Sequence, residues 1–343
     1  MGPTGETRVV QIHPTRQCNL RCLHCYSSSS PQVRESMNPG ILHSAITDIA
    51  EEGYGWVSFS GGEPTVYPDL ADTLAHAKQC GLNNIVVSNG LLLNDKRLDA
   101  LAPNLDLLVL SLDGTPESHN RLRNHPRAFE LLLERLEPIR QRNLPFGFIF
   151  TLTQYNLDEL LWVVDFAAQQ GAGLVQIHPL ENVGEASTHL ADSVPDALEQ
   201  AYAFAIKQEI QKRMGGALAL QLDLIHSEIL KQCPDRFYAN LAGNAVHRAL
   251  SDILTPLVIE TDGTVVPMQY GFDRRYALGN LRDERLRVLG KRWKSTGLPA
   301  FEHLCRHTFR LATEGEPGFR NWYELLGKAA AEAAVPEEED ACV

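Results

Sequence analysis

Short runs rich in β-branched and aromatic residues recur along the first half of the chain, each followed by a longer stretch with apolar residues at helical spacing. The strand-like runs are residues 9–15 (VVQIHPT), 56–62 (WVSFSGG), 84–90 (NIVVSNG), 106–114 (DLLVLSLDG), 146–153 (FGFIFTLT) and 173–180 (GLVQIHPL). The helical stretches open near Pro39, Pro68, Asn94, Pro126 and Leu157. Proline presets the first helical φ and asparagine caps free N–H groups, so both suit a helix start. Strands and helices alternating at this interval need crossover connections, and therefore a parallel sheet. Six such units predict an α/β fold, a partial (β/α)6 TIM-like barrel over residues 1–190, open on one side. In such barrels the chemistry gathers at the C-terminal ends of the strands.

From about Ser193 the pattern changes. A long helix is expected from Pro195 to Arg213, then a break at Gly215-Gly216 and another helix around Asp223 to Gln232. Residues 257–267 read as a hairpin with Asp262-Gly263 at the turn. Helices follow over Glu284 to Lys294 and Arg320 to Ala334. Residues 191–335 therefore form an α+β C-terminal extension, and 336–343 an acidic tail. No internal repeat is visible.

A length of 343 residues suits one large α/β domain with an extension. The longest apolar runs, such as Leu105 to Leu112, carry an aspartate and fall far short of a membrane span. The first residues lack the apolar core of a signal peptide, so a cytoplasmic protein with no membrane partner is expected. With 43 acidic against 31 basic side chains the net charge is −12, which would repel a nucleic acid. The basic run Arg282 to Lys294 is accounted for by an amphipathic helix. Three of the seven cysteines fall within residues 18–25. That crowding fits metal ligation in a reducing compartment and not a disulfide scaffold.

Those three form Cys18-x3-Cys22-x2-Cys25, directly after the first strand and followed by Tyr26. Three thiolates on one loop can hold three corners of a cubane iron–sulfur cluster and leave one iron open to a ligand. A structural zinc site, with His24 or a distant residue as fourth ligand, is the alternative on spacing alone. The second strand runs into Ser60-Gly61-Gly62-Glu63-Pro64. The glycine pair lets the backbone approach a ligand, and the Glu63 carboxylate can receive an ammonium group.

Together these motifs resemble the radical S-adenosylmethionine (SAM) superfamily. Cys18, Cys22 and Cys25 match that family's cluster ligands, Gly61, Gly62, Glu63 and Pro64 its SAM-aminoacyl loop, and Tyr26 an aromatic beside the adenine. Ser88-Asn89 at the third strand end and Ser111-Leu112-Asp113-Gly114 at the fourth continue the likeness, with Arg123 at an arginine able to pair with the SAM carboxylate. Asn120 replaces the usual aspartate of that stretch. The resemblance implies one [4Fe–4S] cluster, SAM as cofactor and an external one-electron reductant such as flavodoxin or ferredoxin. Reductive cleavage of SAM then gives a 5′-deoxyadenosyl radical that abstracts hydrogen from a substrate.

Residues 257–293 resemble the SPASM or twitch extension of that superfamily, which supplies cysteines to auxiliary clusters. Here Met268 follows Pro267 where a cysteine is usual, and only Cys233 and Cys305 flank it. An extension that keeps its fold and has lost its metal is expected, against an auxiliary cluster formed if Cys233, Cys305 and histidines such as His307 converge. Without the metal, Met268, Gln269, Tyr270 and Arg274 either line a substrate pocket roofing the barrel, or Met268 simply packs where a cluster once stood. Without an auxiliary electron acceptor a redox-neutral reaction is favoured: epimerisation, rearrangement or decarboxylation. Cys233 and Cys305 are candidate hydrogen-atom donors, against ordinary buried cysteines. His178 and Glu181, after the sixth strand, are candidate polar contacts or a general base, against a structural role. Asp223 shows no usable pattern.

The substrate expected is a small-molecule natural-product intermediate. The alternatives are a maturase acting on a ribosomally made precursor peptide and a haem-pathway-like decarboxylase. With 17 residues before Cys18, no N-terminal leader-binding domain is expected, and the small molecule is the substrate favoured.

Overall fold

The computed structural model describes residues 8–241 and 248–332. Its centre is a sheet whose parallel strands are β1 (Val9–Ile12), β2 (Trp56–Phe59), β3 (Asn83–Ser88), β4 (Leu107–Ser111), β5 (Phe146–Leu152), β6 (Leu174–Pro179) and β7 (Ala219–Leu222), side by side in chain order. Helices α1 (Pro39–Glu51), α2 (Leu70–Gln79), α3 (Asp95–Leu101), α4 (Pro116–Leu122), α5 (Ala128–Gln141), α6 (Leu160–Gln170), α7 (Ala186–His189) and α8 (Ala197–Met214) make the crossovers. The sheet curves as a TIM-like partial barrel and does not close.

The expected six strands and their order are all present. Helix starts follow the capping chemistry. Asn38 accepts from the N–H groups of Gly40 and Ile41 ahead of Pro39, and Asp196 and Glu199 form a reciprocal capping box at α8.

Three features differ from the sequence expectation. The segment after Gly215-Gly216 is β7, which adds a seventh parallel strand beside β6. The helix expected from Asp223 begins only at Ser227, as α9 (Ser227–Gln232), because Ile225–His226 is a short strand, β8. It pairs with β12 (Phe319–Arg320), so the last helix, α12, starts at Trp322 and is described to Glu332. An unexpected helix, α11 (Leu298–Glu314), follows α10 (Leu286–Thr296) with only Gly297 between them. Pro299 falls in the first turn of α11, where proline suits a helix start. The acidic tail lies outside the described residues.

The predicted hairpin is present as β9 (Leu257–Ile259) and β10 (Thr264–Pro267), with Gly263 at φ +90° in the turn. Strand β9 pairs in parallel with β1, and β11 (Gly279–Asn280) extends the far side of β10. The C-terminal part thus continues the barrel sheet beyond its first strand.

Alternation along the strands sets two environments. Val10 and Ile12, Phe148 and Phe150, and Val175 and Ile177 are fully buried against the helix layer. Their neighbours Gln11, Ile149, Thr151, Gln176 and His178 face the other side and stay partly open. The strands therefore pack one face on the helices and leave the other partly open.

Candidate active site

The thiol loop leaves the end of β1 and is held from several sides. Gly62 N–H donates to Thr15 O at 2.9 Å and Glu63 N–H to Gln17 O at 2.9 Å, pinning the Gly-Gly-Glu-Pro loop beneath it. Leu23 N–H donates to Leu122 O at the end of α4, and Glu185 N–H, after β6, to Cys25 O, both at 2.9 Å. Two contacts are so close that only glycine fits. A Cβ at Gly62 would sit 2.2 Å from Gln17 O, and one at Gly184 would sit 2.4 Å from Cys25 O.

Each sulfur meets a donor. Leu20 N–H lies 3.4 Å from Cys18 Sγ, Ser29 N–H 3.4 Å from Cys25 Sγ, and Arg123 Nη1 3.8 Å from Cys22 Sγ. Donors of this kind stabilise thiolates once metal is bound. Burial pushes the Cys18 thiol up to about 12, with Glu63 adding to the shift. It pushes Cys22 up to about 11, against the opposing pull of Arg123. Both are protonated at neutral pH until a metal displaces the protons. Among the described residues no three His, Cys, Asp or Glu side chains converge as ligands of one ion. A cubane asks something else of three thiolates: each binds a different iron.

The Glu63 carboxylate is 1% exposed. Its Oε1 accepts from Thr65 N–H (3.2 Å), Thr65 Oγ1 (2.6 Å) and Ser88 Oγ (2.8 Å), and Oε2 accepts from Asn89 N–H (2.9 Å). All four donors are neutral, so a buried negative charge stands beside the thiol loop. Asn89 also reaches that loop, donating to Asn19 Oδ1 at 2.8 Å. Pro64 opens the short 3₁₀ turn that sets the angle of Glu63.

Beyond β4, whose last residue Ser111 is nearly buried, Asp113 is fully buried. Its Oδ2 lies 2.6 Å from Arg123 Nε and 3.1 Å from His24 Nε2, and its Oδ1 accepts from Thr151 N–H at 3.3 Å. Burial disfavours its charge, but Arg123 and His24 outweigh that and hold the carboxyl far below its ordinary range. His119 Nδ1 accepts from Asp113 N–H, and burial lowers this ring to about 3, so it is neutral.

Three aromatic rings line the mouth above β1. Tyr270, after β10, stacks on His13 with centroids 4.7 Å apart and planes 9° apart. It also meets Tyr26 edge-on at 5.6 Å. His13 is fully buried with neither ring nitrogen hydrogen-bonded, and burial lowers it to about 3. Met268 is buried in the core at the end of β10 at φ +68°.

On the opposite wall, Asp223 accepts from Gln176 Nε2 (2.7 Å), His178 Nδ1 (3.1 Å) and Gln221 Nε2 (2.9 Å). His178 Nε2 lies 3.6 Å from Glu181 Oε1, which Asn321 Nδ2 meets at 2.9 Å. Burial opposes the charge on His178, yet the hydrogen bond and charge of Asp223 raise it to about 9. The ring is an imidazolium at neutral pH and donates; it is not a free base. Burial raises Glu181.

Residues 12–167 match the sequence profile of the Radical SAM superfamily. These residues form a radical SAM domain, and the chain is an enzyme. Among curated relatives, it is 24% identical over 286 residues to Fe-coproporphyrin III synthase of Methanosarcina barkeri, covering 80% of this chain and 71% of the relative. It is 28% identical over 260 residues to PqqA peptide cyclase of Ruegeria pomeroyi, covering 74% of this chain and 65% of that enzyme, just under two thirds. Among solved structures, native anSMEcpe with bound AdoMet superposes with a TM-score of 0.64 at 18% identity, over 95% of this chain and 96% of that one. That likeness is one of fold and runs through the C-terminal part.

The radical SAM motif residues named from the sequence thus gather around one mouth. Cys305 does not join them: it is fully buried in the core face of α11, where burial pushes its thiol well up. Cys233 caps the end of α9. Sequence reasoning missed Asp223, Gln221 and Asn321. The signal for the first two was the alternation Gln221-x-Asp223 at the end of β7 and just beyond it, with Gln221 in register with Gln176 of β6.

Proposed function

We propose that this enzyme cleaves SAM reductively at a [4Fe–4S] cluster on Cys18, Cys22 and Cys25 and abstracts hydrogen from a small-molecule intermediate in a redox-neutral reaction. The observation that carries this reading is Glu63: a buried carboxylate, served only by neutral donors, on a loop hydrogen-bonded to the thiol loop. A buried charge of this kind is stabilised by a cationic partner, and the ammonium of an amino-acid ligand supplies one. The donor set of three thiols with N–H groups at each sulfur fits the cluster. When bound, a cluster reduced by an external one-electron donor such as flavodoxin or ferredoxin would supply the electron that splits SAM into methionine and a 5′-deoxyadenosyl radical.

The chain's own groups then divide the work. Ser88 and Asn89 hold Glu63 toward the ligand amine, while Tyr26, His13 and Tyr270 form an aromatic wall that keeps water from it. Asp113 fixes Arg123 at Cys22. Across the mouth His178, held protonated by Asp223, offers Nε2–H to an acceptor on the substrate, with Glu181 beside it. The polar interior of Gln176, Gln221 and Asp223 favours a polar substrate, and the residues after 190 act as an extension that completes the mouth. Met268, where a cluster ligand is usual, supports a reaction that needs no auxiliary acceptor.

The likeness to Fe-coproporphyrin III synthase over 80% of the chain favours a second reading, decarboxylation of a haem-pathway tetrapyrrole. Anaerobic reconstitution separates these possibilities. About four irons per chain, lost in the Cys18, Cys22 and Cys25 alanine variants, with SAM-dependent 5′-deoxyadenosine, is the expected result. About eight irons would defeat the single-cluster reading, and bound zinc in their place would defeat the whole proposal. Deuterium transfer into 5′-deoxyadenosine from labelled small molecules, a carboxylated tetrapyrrole or a precursor peptide then selects the substrate class.

A further inference from the structure

Arg123 does more in this fold than stand near the mouth. Its guanidinium is almost wholly buried and spans two partners: Nε meets Asp113 Oδ2 at 2.6 Å, while Nη1 points at Cys22 Sγ from 3.8 Å. Asp113 is anchored in turn from three other elements: His24 in the thiol loop, Thr151 in β5 and Asn156 Nδ2 on its backbone carbonyl at 3.0 Å. The arginine therefore has no freedom to swing to a ligand without abandoning a buried carboxylate, which is costly. His119 is neutral, so Arg123 and Asp113 stand as opposed charges beside Cys22, with the His24 ring also on the Asp113 carboxylate.

We infer that Arg123, braced by Asp113, sets the reduction potential of the cluster at Cys22. The inference rests on the cluster reading above. Adding an electron makes the cluster more negative, so a fixed positive charge and N–H donor at one sulfur stabilises the reduced form. Asp113, set behind the guanidinium, both holds it and partly offsets its charge. Arg123 is a positioning and tuning residue in this assignment, acting through Cys22.

The test is a one-electron titration, followed by electron paramagnetic resonance, of the reconstituted protein without SAM. Arg123→Gln is expected to lower the reduced-to-oxidised ratio about tenfold at fixed poise, equivalent to about 59 mV for a one-electron couple. Asp113→Asn should move it the other way. If Arg123→Gln does not hold a cluster, Arg123→Lys keeps the charge but not the fork, and is expected to give a smaller shift in the same direction as Arg123→Gln. A SAM-free potential unchanged in whichever arginine variant loads, with SAM affinity lost instead, would overturn the inference and make Arg123 a ligand-binding group. A wild-type protein with no cluster signal would sink the underlying reading instead, so the two failures are distinct.

Discussion

Replacing Gly62 with alanine puts a methyl group into the carbonyl of Gln17. The ideal Cβ would lie 2.2 Å from Gln17 O, 2.7 Å from Gln17 C and 2.9 Å from Arg16 C. Ordinary contacts of this type need about 3.4 Å, so the two loops must separate by roughly 1 Å. All three obstructing atoms are backbone, on the segment that leads into Cys18, so no side chain can turn aside. Separation breaks the Gly62–Thr15 and Glu63–Gln17 hydrogen bonds. At about 1 kcal/mol each, plus a residual steric term, the loss is about 2–3 kcal/mol. With an unfolding entropy near 2.1 cal/mol/K per residue over the chain, that lowers Tm by about 3–4 °C. The functional effect should exceed the thermal one, because Glu63 moves away from the thiols by the same displacement.

Differential scanning calorimetry and SAM titration of the reconstituted protein measure both, with Gly55→Ala as control. Gly55 has nothing within 4 Å of its added Cβ, and its variant should melt within about 1 °C of the parent. If Gly62→Ala also melted within about 1 °C and bound SAM like the parent, the close packing of these two loops would be refuted.

Glu63→Gln replaces an acceptor-only group with one that must turn an NH₂ toward Thr65, Ser88 or Asn89. It should weaken SAM binding at least tenfold in equilibrium titration while leaving iron content unchanged. His178 has a folded pKa near 9, above its ordinary 6.5, so its contribution is complete below about pH 6.5 and fades as pH rises through 9. His178→Gln should therefore flatten the fall in stability over that window, by about 1–2 kcal/mol after allowing for a side chain 35% exposed; an unchanged slope in urea melts would refute the pairing with Asp223. Tyr270→Ala removes the ring stacked on His13 and set edge-on to Tyr26. About a fivefold loss of SAM affinity is expected, with Tyr270→Phe near the parent; equal loss in both variants would mean that the hydroxyl, not the stack, matters.

Much of this arrangement is legible in the sequence, for local reasons. Three cysteines within eight residues and Gly-Gly-Glu-Pro after the next strand are adjacent motifs, and a parallel βαβ unit brings consecutive strand ends together without further information. The alternation of apolar and polar residues likewise fixes which face of β6 packs on helices and which lines the barrel. Helix α11 was hidden because Gly-Leu-Pro has two local meanings, a stop or a restart, and only packing against α12 and the α10 end decides between them.

What the sequence could not say concerns partners far apart along the chain. Asp223 is an unremarked aspartate until β7 lies in register beside β6, which places it on His178, 45 residues away. Tyr270 reaches Tyr26 and His13 only because β9 joins the sheet at β1, and Arg123 faces Cys22 across 101 residues because α4 docks on the thiol loop. Local pattern determined the strands, the barrel and the thiol motif, since each depends on neighbours a few residues apart. The charges and rings facing those thiols were decided by sheet order and loop docking, long-range contacts that periodicity does not encode.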